Sequence, residues 1–169
     1  RRLASIFSFS LPVTTVSNAL ANDILRFAKP HRFPIFVIPN AVDSRIFNPL
    51  VCSRISGNPV NQSEGQLNLL MIANWQVLKR PLIVLEACRR LIDRSLKVKI
   101  RIIGEGLQRP EMEILATTQQ LVGNVTFLGS LRKDKIAEEM CQADALVHPS
   151  SYETFSVVCA EALCCGTPV

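Results

Sequence analysis

From residue 67 to the end of the chain, apolar runs of strand length alternate four times with stretches of helical periodicity. Such a chain buries its strands as a parallel sheet with right-handed helical crossovers. The first unit has a strand at 67–73 and a helix at 81–95, opened by Pro81 in its first turn. Leu82, Leu85, Ala87, Cys88, Leu91 and Ile92 recur at helical spacing, and Glu86, Arg89, Arg90, Asp93 and Arg94 fill the other face. The second strand, 97–103, is broken by Gly104-Glu105-Gly106 and followed by a helix at 110–121. A third strand, 125–128, stops at Gly129 before a helix at 133–142. A fourth, 145–148, stops at Pro149 before a helix at 156–165 that Gly166 caps. Thr167-Pro168-Val169 reads as entry to a fifth strand. A parallel sheet needs cover on both faces, so the natural sequence is expected to continue past Val169. The predicted class is α/β, a doubly wound, Rossmann-like parallel sheet truncated before its last strands and helices.

The first part differs. A strand at 13–16, a helix at 17–28 and a strand at 35–38 make one further unit, too small for a core of its own. Residues 1–47 are therefore expected to be the tail of a preceding, incomplete domain. Residues 48–66 hold Pro49, Ser53, Ser56, Gly57, Pro59, Asn61, Ser63 and Gly65, a linker composition. Residues 67–169 are expected to form the ligand-binding domain, incomplete at its end.

Composition narrows the function. With 48% hydrophobic and 20% charged residues, a packed core is expected rather than disorder. No apolar run approaches the roughly 20 residues of a membrane span. The opening segment lacks the apolar stretch and cleavage site of a signal peptide, so the chain reads as cytoplasmic. Residues 1–45 carry six Lys or Arg against two acids, and the remainder thirteen against twelve. That basic first quarter could favour an acidic membrane face or a phosphate-bearing ligand, but a solvated surface with no partner is the preferred reading. One Trp and one Tyr give nucleic-acid binding little support. The six cysteines form no C-x-x-C pair and cluster with no His, so they read as reduced, buried thiols, with no metal site and no disulfide framework.

In open parallel sheets, ligands bind beyond the carboxyl ends of the strands. The loops there are 74–79, 104–106, 129–131 and 149–155. The last leads into an almost wholly apolar helix in which Glu161 is the sole ionisable residue besides cysteine. A lone carboxylate among Val157, Val158, Ala160, Ala162 and Leu163 faces water, bonds an internal partner or accepts bonds from a ligand. The start of that helix offers free amides and a positive dipole end for an anion. Glu153 stands just before it, and eight helical residues would rise roughly 12 Å. Two carboxylates flanking such a helix end suit the two sugars of a nucleotide-sugar, with its diphosphate between them. Lys79, after the first strand, suits the charge of a diphosphate leaving group, although a loop lysine is more often merely solvated. Gly104-Glu105-Gly106 is not a G-x-G-x-x-G fingerprint, so a dinucleotide reading is weak.

Residues 149–169, PSSYETFSVVCAEALCCGTPV, resemble the E-x7-E signature of family-four retaining glycosyltransferases, with its glutamates at Glu153 and Glu161. IPNAVDSRIFNP at 38–49 resembles the family's domain junction, and IANWQVLKRP at 72–81 its first donor-domain loop. IIGEG at 102–106, VTFLGSL at 125–131 and VTTVSNAL at 13–20 agree as well. The resemblance implies the donor-binding half of a GT-B enzyme. Such an enzyme transfers a sugar from a nucleoside diphosphate sugar to an acceptor hydroxyl with retention, using neither metal nor cofactor. It implies that Glu153 contacts the sugar hydroxyls and Glu161 the ribose hydroxyls. The amides near Phe155 and Ser156 would hold the distal phosphate, Thr154 would be a further donor-binding residue, and Lys79 would neutralise the diphosphate. Gly129, Ser130 and Leu131 would line the base. In this family the acceptor attacks from the leaving group's own face, so Glu153 is not assigned as a nucleophile.

The chain departs from the pattern in places. An Arg often precedes the family's lysine; here Asn74 and Gln76 stand nearby and Arg80 follows, which makes Asn74 and Arg80 the donor-binding candidates there. Ser156 and Ala41 occupy positions where Gly is usual. The acceptor, a glycan, lipid or small molecule, would bind the absent first domain, as would any peripheral contact with the inner membrane face. The fragment alone is expected to be inactive. The alternative is a non-catalytic nucleotide-binding module of the same fold; phosphorolysis ranks low because no lysine for a pyridoxal cofactor is identified.

Overall fold

The computed structural model describes residues 11–27, 33–56 and 65–169. Residues 57–64 of the expected linker, and Arg1, Arg2, Lys29 and Arg32 of the basic first quarter, lie outside them. Two compact units result: the described residues up to Ala41 with Glu153–Val157, and 42–152 with 158–169.

In the first unit, β1 (Val13–Thr15) pairs in parallel with β2 (Ile35–Val37), and α1 (Asn18–Phe27) crosses between them. Ser17 opens α1 by accepting the Leu20 N–H on its hydroxyl at 3.2 Å.

The second unit contains the expected α/β sheet. β3 (Gln66–Ile72), β4 (Lys97–Ile103), β5 (Val125–Gly129) and β6 (Ala145–Leu146) lie in the order β5-β4-β3-β6, every pair parallel. The intervening helices are α3 (Pro81–Asp93), α4 (Arg109–Thr118) and α5 (Lys133–Cys141), and α6 (Val157–Cys164) follows β6. Alternate strand residues feed two cores. Met71, Val98, Ile100 and Ile102 pack with Val84, Leu85 and Cys88 of α3 and Met112 and Ala116 of α4. Leu70 and Ile103 point the other way, onto Ala137 and Met140 of α5 and Ala162 of α6. A period of two along each strand, with apolar residues at both phases, is the pattern of a sheet covered on both faces.

Gly166 closes α6 as expected. It takes φ 82°, and the Thr167 N–H reaches back to the Ala162 carbonyl at 2.9 Å, as in a Schellman cap. Residues 167–169 form no strand, yet the Leu146 N–H donates to the Pro168 carbonyl at 2.8 Å, one rung beside β6.

Two expectations need correction. Pro49–Ser56, read from composition as linker, is a helix, α2. Asn48 caps it, accepting the Leu50 and Val51 amides at 3.0 and 3.1 Å, and Pro49 sits in the first turn, where its missing N–H costs nothing. Asn-Pro therefore works here as a helix start, and Val51 and Cys52 pack on the second core. The cysteines are also not all reduced: Cys52 of α2 and Cys141 of α5 form a disulfide across 89 positions of sequence. No local spacing hints at that pair, because only packing of α2 on α5 brings it together. The Cys165 sulfur lies within 4.8 Å of both, but two of the three thiols are consumed in the bond, which leaves no thiolate set for a metal.

Candidate functional site

The loops at the carboxyl edge of the sheet are tied to one another in the order of the strands. The Gly104 N–H donates to the Gly129 carbonyl at 2.8 Å, joining the loops after β4 and β5. The Trp75 N–H donates to the Glu105 carbonyl at 3.0 Å and the Gln108 N–H to the Trp75 carbonyl at 3.2 Å, joining those after β3 and β4. The Ser151 N–H donates to the Leu78 carbonyl at 2.9 Å, joining those after β3 and β6. A continuous rim results, on which Asn74, Lys79, Arg80 and 129–131 all stand.

Gly104-Glu105-Gly106 takes part in this lacing. A Cβ on Gly106 would come within 2.5 Å of the Trp75 carbonyl oxygen. Trp75 is fully buried beneath the rim, 5.7 Å from the Phe127 ring, with the Arg109 guanidinium 5.6 Å from its own ring. Arg109 also ion-pairs with Glu105 and Glu113, so the loop after β4 is held to α4 by charge as well as by backbone.

Lys79 ends a short 3-10 turn (Val77–Lys79) and is half-buried. Arg80 follows with φ 50°, ψ 46°, a left-handed residue that turns the chain sharply into α3, and its side chain is exposed. Asn74 and Gln76, which stand where an arginine partner of the lysine is usual, are exposed.

Glu161 lies in α6 beside fully buried Ala162 and is half-buried. Among the described residues no hydrogen bond or salt bridge engages its carboxylate. Burial pushes its pKa above the ordinary 4.5, and the nearby charge of Lys133 only partly opposes this. Lys133 opens α5, directly after the 129–131 loop, and it also acts on Asp43, whose carboxylate the Arg45 fork holds at about 2. The sequence reading missed Lys133. The available signal was a cation at the first position of a helix, against the sense of its dipole.

A carboxyl group raised by burial favours the folded state while protonated. Its stabilisation is complete below the unfolded value near 4.5 and fades as pH rises through the higher folded value. Glu161→Gln removes the charge, so the ligand-free variant is expected to be more stable than the parent at neutral pH. The difference should close below 4.5, as read by urea midpoints across pH.

Glu153, Thr154, Phe155 and Ser156 group with the first unit. Helix α6 begins only at Val157, so half of the Glu153–Glu161 separation is loop and the 12 Å helical rise does not apply. Ser156 takes φ 60°. Glycine is usual in the family here, and a left-handed backbone costs a residue with a Cβ about 1–2 kcal/mol. Ala41 needs no such conformation, which is why alanine is tolerated there.

An open parallel sheet with helices on both faces is an architecture shared with GT-B glycosyltransferases. Residues 56–169 match the model for glycosyl transferases group 1, and the chain belongs to that family. It is 27% identical over 156 residues to the N-acetyl-alpha-D-glucosaminyl L-malate synthase of Bacillus anthracis, covering 92% of this chain and 40% of that protein. It superposes on sucrose-phosphate synthase from Thermosynechococcus elongatus with a TM-score of 0.82 at 22% identity, over 99% of this chain and 43% of that one. HepE of Anabaena, in complex with UDP and glucose, gives 0.76 at 23% identity, over 95% and 43%. The chain thus spans less than half the length of these relatives. Among the described residues, no helix is long and apolar enough to cross a membrane.

Proposed function

We propose that this chain holds the nucleoside diphosphate sugar in a retaining glycosyltransferase, which passes the sugar to an acceptor hydroxyl. The observation that carries the reading is Glu161: a half-buried carboxylate that no hydrogen bond or salt bridge engages among the described residues, in the helix that follows β6 at a laced sheet edge. Ribose hydroxyls donating to it would stabilise the charge that burial disfavours. Lys79 supplies positive charge to the diphosphate as the glycosidic bond breaks, and Arg80 stands beside it. The backbone of Gly129, Ser130 and Leu131 lines the base.

The roles of Glu153 on the sugar, of Phe155 and Ser156 on the distal phosphate, and of Thr154 in donor binding rest on the E-x7-E resemblance. So does retention, with attack from the leaving group's side and no enzyme nucleophile. The proposed division is a first domain ending near residue 41 and a donor domain from Val42 onward, which includes helix α2 and buried Phe47. We place the enzyme in the cytoplasm, with any contact to the inner membrane face made by its acceptor domain. No metal or cofactor is invoked, and transfer is expected to survive EDTA. The exposed Asn74 and Gln76, in place of an arginine, favour the second reading, a nucleotide-binding module without turnover. Glu161→Ala in the intact protein separates the two. The enzyme reading expects kcat/KM for donor to fall about 10- to 100-fold, the worth of hydrogen bonds to a charged group. Transfer at the parent rate would remove Glu161 from the site, and nucleotide binding with no transfer at all would favour the module.

A further inference from the structure

The loop that carries Lys79 is bonded through its backbone to the loop after β6. None of Val77, Leu78 and Lys79 is buried, and Val77 and Leu78 are 75% and 59% exposed. The peptide group between Leu78 and Lys79 is bonded at both ends. Its N–H, that of Lys79, donates to the Gln76 carbonyl at 2.9 Å. Its carbonyl, that of Leu78, accepts three donors from the loop after β6: the Ser151 N–H at 2.9 Å, the Ser151 hydroxyl at 3.0 Å and the Ser150 hydroxyl at 3.3 Å. Serine hydroxyls in loops ordinarily bond backbone groups a few residues away. These two reach across 73 and 72 positions. With both ends of one peptide plane pinned, the Lys79 Cα from which the side chain starts is held in place.

We propose that Ser150 and Ser151 are positioning residues for Lys79, clamping the Leu78–Lys79 peptide so that the ammonium meets the donor diphosphate. This rests on the reading of Lys79 as the diphosphate's cation. The two hydroxyls are not equal. Ser150 has one proton, shared with the Tyr152 carbonyl at 3.0 Å, whereas Ser151 gives its hydroxyl and its amide to Leu78. Ser151 is the stronger arm.

The test uses the intact protein and calorimetry with UDP against uridine and GDP against guanosine, which isolates the diphosphate's share of affinity. Ser150→Ala/Ser151→Ala is expected to lower the preference for diphosphate over nucleoside by about 5- to 10-fold, with nucleoside affinity unchanged. Ser151→Ala alone should account for most of it, and Ser150→Thr/Ser151→Thr should restore it. In a Lys79→Ala background the double alanine change should have no further effect, because the clamp acts through the lysine. An unchanged preference in the double variant, a parallel loss of nucleoside affinity, or a full effect persisting without Lys79 would overturn the clamp. If Lys79→Ala itself leaves the preference intact, or neither diphosphate binds the parent, the assignment of Lys79 fails and the clamp with it.

Discussion

Lys79→Ala is expected to reduce sugar transfer by the intact protein about 10²- to 10³-fold in kcat, with a smaller change in KM for the donor. The asymmetry follows from where charge develops. In the ground state the diphosphate is already anionic, and several groups share its binding. As the glycosidic bond breaks, further negative charge grows on the leaving oxygen, and a fixed ammonium there lowers the barrier more than it strengthens binding. Lys79→Arg keeps the charge but broadens the head and lengthens the reach, so it should recover only part of the rate. Steady-state kinetics with donor varied at saturating acceptor make the comparison. A lysine that was merely solvated would leave kcat where it was.

Gly104→Ala is expected to destabilise the fold by more than about 3 kcal/mol, a severe effect for the addition of one methyl group. Gly104 ends β4 with φ 124°, a conformation in which side chains are strained. The added Cβ would stand 1.9 Å from the Ala73 carbonyl oxygen and 3.2 Å from the Trp75 indole nitrogen. Neither can yield easily: Ala73 is bonded to the Ile103 carbonyl and Trp75 is fully buried. Gly123→Ala is the matched control, since a Cβ there meets nothing within 4 Å, and it should change stability by less than about 0.5 kcal/mol. Urea unfolding of the two variants should separate them clearly; a similar small loss in both would mean the rim is far more compliant than its packing implies.

The four β–α units were readable because each repeats a period that burial enforces: two along β3 and β4, about 3.6 along α3. Pro81 and Gly166 marked a helix start and a helix stop by the same conformational rules that operate in the structure. Asn48-Pro49 misled because the same dipeptide serves turns and helix starts, and only the packing of Val51 and Cys52 on the second core decides between them. The Cys52–Cys141 bond, Lys133 acting on Glu161, and Ser151 reaching Leu78 all join residues far apart in sequence, where no period carries information. Glu161 was conspicuous as a lone acid in an apolar helix. Whether an internal partner satisfied it was a question for three dimensions.

The most direct measurement compares the affinity of UDP with that of its 2′,3′-dideoxy analogue, or the guanosine pair if that base is the one bound, for the parent and for Glu161→Ala. If Glu161 holds the ribose hydroxyls, the parent prefers the natural sugar by about 10- to 100-fold. The variant then binds both nucleotides alike, at the parent's affinity for the dideoxy form. A hydroxyl preference of equal size in the variant would contradict the account.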